Sequence, residues 1–289
     1  MVRLKLLLEL NYDVFDAPGD FVFNIHAART EHQSVIDEDL FISQPVESYI
    51  HTSASSRNRY LRVTAQPGPL TVRYRATVDI AHHVTAPDRL TEVPVAKLPA
   101  EVLGYVYPSR YCESDRLGRL AVREFGHLCT GYGRVRAIRD WVKQRVAFIS
   151  NSSDATTSAA DTLIEQAGVC RDYAHLMIAL CRAVNIPARF TTGIDFGADP
   201  ALGPTDFHAY VEAFLGDRWY IFDPSGTAIP MGFVRFGTGR DAADVAFATI
   251  FGAVTSQAPI IHVEAVDDPA NGFVMPYHCA EVLSTDAGA

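Results

Sequence analysis

A chain of 289 residues, 48% hydrophobic and 20% charged, is long enough for one large domain or two ordinary ones and has the composition of a soluble globular protein. Its formal net charge of −9 argues against nucleic acid or an anionic membrane surface as a partner, and no apolar run approaches the length of a membrane span. Five cysteines, odd in number, widely scattered and without a CxxC pair, fit neither a disulfide framework nor a zinc site, so a reducing cytoplasm is the expected location.

The start, MVRLKLLLEL, resembles a signal peptide in its apolar run. Lys5 and Glu9 interrupt that run, and the reading adopted is a strand. Through about residue 95 the pattern is that of strands: LKLLLELNYDV, DFVFNIHAA and RYLRVTAQPGPLTVRYRATVDI, the last expected to fold into a hairpin at QPGP. APDR and VAKLPAE mark a change of character and give the expected boundary, with residues 1–95 forming an N-terminal antiparallel β-sandwich and residues 96–289 a second domain able to fold from about Glu101. Beyond it Val135, Ile138, Trp141, Val142 and Val146 recur at helical spacing. SNSSDATTSAAD reads as a surface loop, with Ser158 and Asp161 spaced for a capping box on a short helix.

The stretch AGVCRDYAHLMIALC carries chemistry. Ala174, Met177, Ile178 and Cys181 lie on one helical stripe, and Cys170 is four residues before Ala174, so its thiol should point inward. A structural cysteine would sit the same way. The second reading is electrostatic: a thiolate in a first helical turn meets free N–H groups and the positive end of the helix dipole, and Arg171 is adjacent. Such surroundings bring a cysteine pKa from about 8.5 to roughly 3.5–7.5. Rapid alkylation of Cys170 near neutral pH is expected.

A nucleophilic thiol needs a base and a group to orient that base. After the probable strand RFTTGI and a Gly/Pro/Asp-containing loop, DFHAYVEAFLGDRWYIFDPSG reads as two strands joined at Gly216-Asp217. With Leu215 opposite Arg218, Phe214 faces Trp219 and Tyr210 faces Asp223. His208, Tyr210, Glu212, Phe214, Trp219, Ile221 and Asp223 then share one face, while Phe207, Ala209, Val211, Ala213, Tyr220 and Phe222 form a core face. His208 and Asp223 become diagonal neighbours, roughly 7–8 Å apart at the backbone. An edge histidine and an aspartate opening a turn before Pro224 would leave the same trace.

GVCRDYAHLMIALCRAVNIPAR followed by DFHAYVEAFLGDRWYIFDP resembles the transglutaminase-like superfamily of papain-type cysteine enzymes, and most of all its bacterial branch of cysteine proteases. PSRYCESDRLGRLA, GRDAADVAF and an N-terminal β-sandwich also resemble that branch. The resemblance implies an α+β fold whose catalytic domain holds the nucleophile at a helix N-terminus packed on an antiparallel sheet. It implies Cys170 as nucleophile, His208 as general base and Asp223 as the residue orienting the imidazole, acting without cofactor or metal on a peptide or protein substrate. The family usually has Trp where Tyr210 stands, and Pro224-Ser225-Gly226 departs from the polar run common after the aspartate.

The expected reaction is amide hydrolysis through a thioester acyl-enzyme. Acyl transfer to an amine, and a non-catalytic binding module, are the alternatives. Arg110, Tyr111, Asp172 and Tyr210 are candidates for shaping the pocket, and His175 falls off the nucleophile's face as a structural residue. His82-His83 has no matching ligand spacing for a metal.

Overall fold

The computed structural model describes residues 1–197 and 205–288. Most of the Gly/Pro/Asp loop expected between the RFTTGI strand and His208 lies outside them.

Strict alternation in β1 (Val2–Val14) sends Val2, Leu4, Leu6, Leu8, Leu10, Tyr12 and Val14 inward, as a half-buried strand requires. It pairs antiparallel with β6 (Gly68–Ile80), which in turn pairs with β3 (Gln33–Ile42). The facing sheet holds β2 (Gly19–Phe23), β5 (Arg59–Ala65) and β4 (Ser48–Thr52). The expected QPGP hairpin is therefore corrected: β5 and β6 lie in different sheets. Gly68, at φ +117°, and the two flanking prolines carry the chain across the sandwich, because each strand needs its apolar face covered from the opposite layer.

After the short β7 (His83–Thr85) come α1 (Ser114–Phe125) and α2 (Tyr132–Arg145). A parallel pair, β8 (Ala147–Phe148) and β9 (Ala167–Gly168), brackets α3 (Ala159–Glu165). Ser158 caps α3 reciprocally with Asp161, as the spacing predicts. The central helix α4 (Cys170–Ala183) packs on the sheet formed by β10 (Ala188–Asp195), β11 (His208–Leu215), β12 (Arg218–Phe222) and β13 (Phe233–Gly239), ordered β12-β11-β10-β13. The β11–β12 register is the expected one, from Leu215 opposite Arg218 to Val211 opposite Phe222. The expected core face is buried, and the face that carries His208 and Asp223 is buried too. Ala209, Val211, Ala213, Tyr220 and Phe222 join the core that surrounds α4, while Tyr210 and Ile221 pack with Phe233 and Leu283.

The assignment of all of 96–289 to the second domain is also corrected. Beyond the short α5 (Ala242–Val245), strand β14 (Ala248–Phe251) pairs with β2, and β15 (Val254–Ser256) and β16 (Ile260–Ala265) pair with β1. The last strand, β17 (Val282–Ser284), pairs with β7. Ile194, Val234 and Phe236 of the second sheet are buried in the sandwich core. Two side-chain amides join the halves: Asn58 exchanges hydrogen bonds with both backbone groups of Thr238, and Gln33 does so with Arg235. No helix among the described residues is long and apolar enough to cross a membrane.

Candidate active site

The N-terminus of α4 is closed by its own third residue. The Asp172 carboxylate folds back to accept the Val169 N–H at 2.8 Å, as well as the Ser153 hydroxyl. Gly168 permits this, because a Cβ there would stand 2.7 Å from Cβ of Asp172. Cys170 is thereby fixed as the first helical residue. Its thiol is partly exposed and lies 3.9 Å from the carbonyl oxygen of Phe207.

Arg171 does not supply the charge that its adjacency suggests. Its guanidinium turns toward the 150–160 loop, donating to Asp154 O at 2.7 Å, Ser153 Oγ at 3.1 Å and Asp172 Oδ1 at 3.2 Å. Successive helical residues point about 100° apart, so a neighbour in sequence is not a neighbour of the thiol. The positive end of α4 remains as a field at Cys170.

His208 opens β11 and Asp223 follows β12, and the hairpin register brings them together, with His208 Nε2 3.6 Å from Asp223 Oδ1. Both are almost wholly buried. At 3.6 Å the interaction is an ion pair longer than an ordinary hydrogen bond. Burial works against a charged imidazole, but the Asp223 carboxylate and the Cys170 sulfur outweigh it and push His208 well above its ordinary value. Burial alone would raise Asp223. His208, together with donors from Ser225 and Ala228, instead holds it at about 2.

Asp223 also begins a turn: Oδ1 accepts from Ser225 N at 3.0 Å and Ser225 Oγ at 2.6 Å, while Oδ2 accepts from Ala228 N at 3.2 Å. Turn residue and imidazole partner are here one and the same carboxylate. The cysteine, histidine and aspartate thus converge from a helix N-terminus, a strand start and a strand end.

The remaining candidates separate. Asp172 orders the helix start rather than lining a pocket. Tyr111 stacks on His175 at 5.0 Å, its hydroxyl donates to Ala155 O and its backbone N–H to Asp241, and the Arg110 guanidinium lies over its ring. These contacts follow the Arg171–His175 side of α4, away from the Cys170 stripe. Buried His175 accepts the Ala242 N–H and is held well below the usual histidine range by burial, which fits a structural role.

Tyr210 is buried one pleat from His208, and both rings stack on Phe233, at 4.4 and 5.3 Å. Phe233 is thus a plate that fixes the imidazole plane. Sequence reasoning passed over it because its place depends on β13 pairing with β10 across a bulge. Among the described residues no cluster of three His, Cys, Asp or Glu side chains is placed to hold a metal ion.

Comparison with known proteins identifies the family and the fold. The transglutaminase-like superfamily profile matches residues 121–224, a span containing Cys170, His208 and Asp223, and the profile of the bacterial transglutaminase N-terminal domain matches residues 2–101. A solved structure described as "a Putative Cysteine Protease from Cytophaga hutchinsonii" is 40% identical, with a TM-score of 0.90 over 98% of this chain and 97% of that one. The chain belongs to the transglutaminase-like superfamily.

Curated relatives are more distant. An uncharacterized protein of Mycobacterium leprae is 32% identical over 117 residues, 39% of this chain and 42% of that protein. One of Mycobacterium bovis is 29% identical over 107 residues, 33% of this chain and 34% of that one. The chain spans less than half the length of these mycobacterial proteins. The near-complete match to the Cytophaga structure places the sandwich, the transglutaminase-like core and the returning C-terminal strands in one shared architecture.

Proposed function

We propose that this transglutaminase-like protein is a cysteine-dependent amide hydrolase of peptide or protein substrates, with Cys170 as nucleophile, His208 as general base and Asp223 as the orienting carboxylate. The observation that carries the reading is the buried imidazole set between a carboxylate at 3.6 Å and a thiol at a helix N-terminus. Because Nε2 faces Asp223, Nδ1 is the nitrogen left for the sulfur.

The Sγ proton passes to Nδ1, and sulfur attacks the carbonyl carbon to give a tetrahedral oxyanion. The Cys170 N–H, opening α4 without an intrahelical acceptor, is a donor to that oxygen. Collapse breaks the C–N bond as imidazolium protonates the leaving amine. Water, deprotonated by His208, then cleaves the thioester and regenerates the thiol. Water is preferred as acceptor because it is always present at high concentration, whereas transfer needs a dedicated amine site.

Fluorogenic peptide amides, assayed with and without an excess of a fluorescent primary amine, test the proposal. Hydrolysis should fall by about 10³-fold or more in Cys170→Ala and His208→Ala. Full activity in Cys170→Ala would overturn the mechanism. Amine incorporation outpacing hydrolysis would replace hydrolysis by acyl transfer.

A further inference from the structure

Asp195, the last residue of β10, is a buried carboxylate that the proposed triad leaves unused. It is 3% exposed, and its Oδ2 accepts no hydrogen bond among the described residues. An unpartnered buried acceptor is destabilising, more so when charged, so its retention calls for a cause.

Strand register supplies one. Gly193 stands opposite His208 on β11, and Asp195 stands opposite Phe233 on β13, the residue whose ring lies against the imidazole. Residues two apart on a strand share a face, so Asp195, Gly193, His208 and Phe233 look the same way. Gly193 carries no side chain, so β10 places nothing between the histidine and Asp195. A second unpartnered atom occupies this place: His208 Nε2, whose facing oxygen, Asp223 Oδ1, already takes two donors from Ser225. A donor without an acceptor and an acceptor without a donor lie on one sheet face, near enough for the two charges to act on each other.

We propose that Asp195 is a positioning residue, a second carboxylate that acts on His208 Nε2–H and favours imidazolium when the histidine takes the Cys170 proton. This rests on the reading of His208 as the base for Cys170.

The surrounding charges allow it. From β11 and the turn after β12 come His208 and Asp223, the charges that act on Asp195. From α4 come Cys170 and Tyr173, the latter close enough to Asp223 for its hydroxyl to respond to that charge. On β13, Arg235 is drawn away to Asp286 at 3.3 Å and Glu212 at 3.7 Å, and Glu212 is further held by Arg189 at 2.6 Å. Burial raises the Asp195 carboxyl, Asp223 raises it further, and a charged His208 holds it down. A neutral imidazole leaves two carboxylates sharing a dry site. An imidazolium gives both a partner, so the stabilisation is realised when the thiolate–imidazolium pair forms.

Two measurements on Asp195→Asn, a near-isosteric change, test this. NMR titration of the His208 ring in a Cys170→Ala background reports on the carboxylate without the thiol. Adding Asp195→Asn should lower the midpoint by about one pH unit. In the protein with Cys170 intact, the same change should slow iodoacetamide alkylation of Cys170 near pH 7 about threefold to tenfold. Asp195→Ser, in case Asn packs badly, should shift the titration similarly, and Asp195→Glu should restore it toward the wild-type midpoint.

An unchanged His208 titration in both neutral variants would overturn the proposal. So would a lower melting temperature with every pH profile fixed, the mark of a packing residue. A shifted titration with unaltered Cys170 alkylation would uphold the Asp195–His208 link and sink the assignment of His208 as base to Cys170.

Discussion

Replacing Asp223 by Asn separates the charge of this residue from its place in a turn. Asn presents the same Oδ1 to Ser225, so the turn after β12 keeps two of its three hydrogen bonds, but the amide then sets an N–H against the Ala228 N–H at the 3.2 Å contact. One mispaired buried donor costs about 1–3 kcal/mol, a modest loss of stability. The charge has a second consequence. The carboxyl is held at about 2 against an ordinary 3.8, a shift equivalent to about 2 kcal/mol of native stability. A depressed carboxyl contributes that stability above pH 4 and loses it as pH falls from about 4 toward 2. The Asn variant should lack this acid-limb contribution. His208 reports the same pair from the other side: its raised value gives stability present below about pH 6.5 and lost as pH rises through the folded value, and the interaction is counted once. Without the Asp223 charge, burial dominates and His208 discharges at lower pH. Cys170 alkylation near neutral pH, and turnover of any amide substrate, should then fall about 10- to 10³-fold, roughly 1.4–4 kcal/mol of barrier and less than the ~10⁴ typical of a serine triad. Iodoacetamide rates against pH, mapped by mass spectrometry, read this directly. Superimposable curves for Asp and Asn would refute the orienting role and leave Asp223 a turn residue alone.

The same structure has three further consequences. Labelling at pH 6 should discriminate the five thiols: Cys170 labels first, ahead of exposed Cys129, half-buried Cys279 is slowed because burial raises its thiol, and Cys112 and Cys181 stay unmodified in the folded protein, buried and, for Cys112, with the thiol pushed up to about 12 by burial. Faster labelling of Cys129 than of Cys170 at that pH would remove the nucleophile assignment. A chain beginning at Glu101 should fail to unfold cooperatively in a calorimeter, against the expectation of an autonomous second domain, because β14–β16 lose their partners and Ile194, Val234 and Phe236 lose roughly 5–9 kcal/mol of burial; a sharp transition with native circular dichroism would refute this. Gly193→Ala should destabilise the protein by about 3 kcal/mol in urea titrations, since its Cβ would lie 2.0 Å from the Val234 carbonyl oxygen at the β10–β13 bulge, and a neutral effect would mean that this contact is not kept in solution.

Local chemistry was legible in the sequence and long-range pairing was not. The two-residue turn at Gly216-Asp217 fixes the β11–β12 register from sequence alone, and with it the neighbourhood of His208 and Asp223. The capping box at Ser158 and the start of α4 at Cys170 are equally local. QPGP misled because a Pro-Gly turn between two apolar strands suits a hairpin and a crossing between sheets equally well. The pairing of Ala248 with Phe23 closes a loop through most of the chain, and no periodicity encodes it. Arg171 misled in the opposite way: adjacency in sequence promised a charge at the thiol, and helical geometry took it elsewhere.

The sandwich therefore reaches the candidate site through β13. Asn58 and Gln33, both from the N-terminal half, pair their side-chain amides with β13 backbone at Thr238 and Arg235, in the manner of an added strand. Arg235 is two residues from Phe233, the plate under His208, and β13 also sits opposite Asp195. A buried imidazole that must change charge during a reaction needs its ring plane and its carboxylate neighbours fixed beforehand, because reorganising them during the reaction would add to the barrier. Asp223 is fixed by its own turn, Cys170 by Asp172 and Gly168, and the Phe233 side of His208 by a strand anchored in the other half of the molecule. On this account the N-terminal sandwich is part of the support for the site, and the boundary near residue 95 marks a change in local pattern that β14–β16, Ile194, Val234 and Phe236 cross.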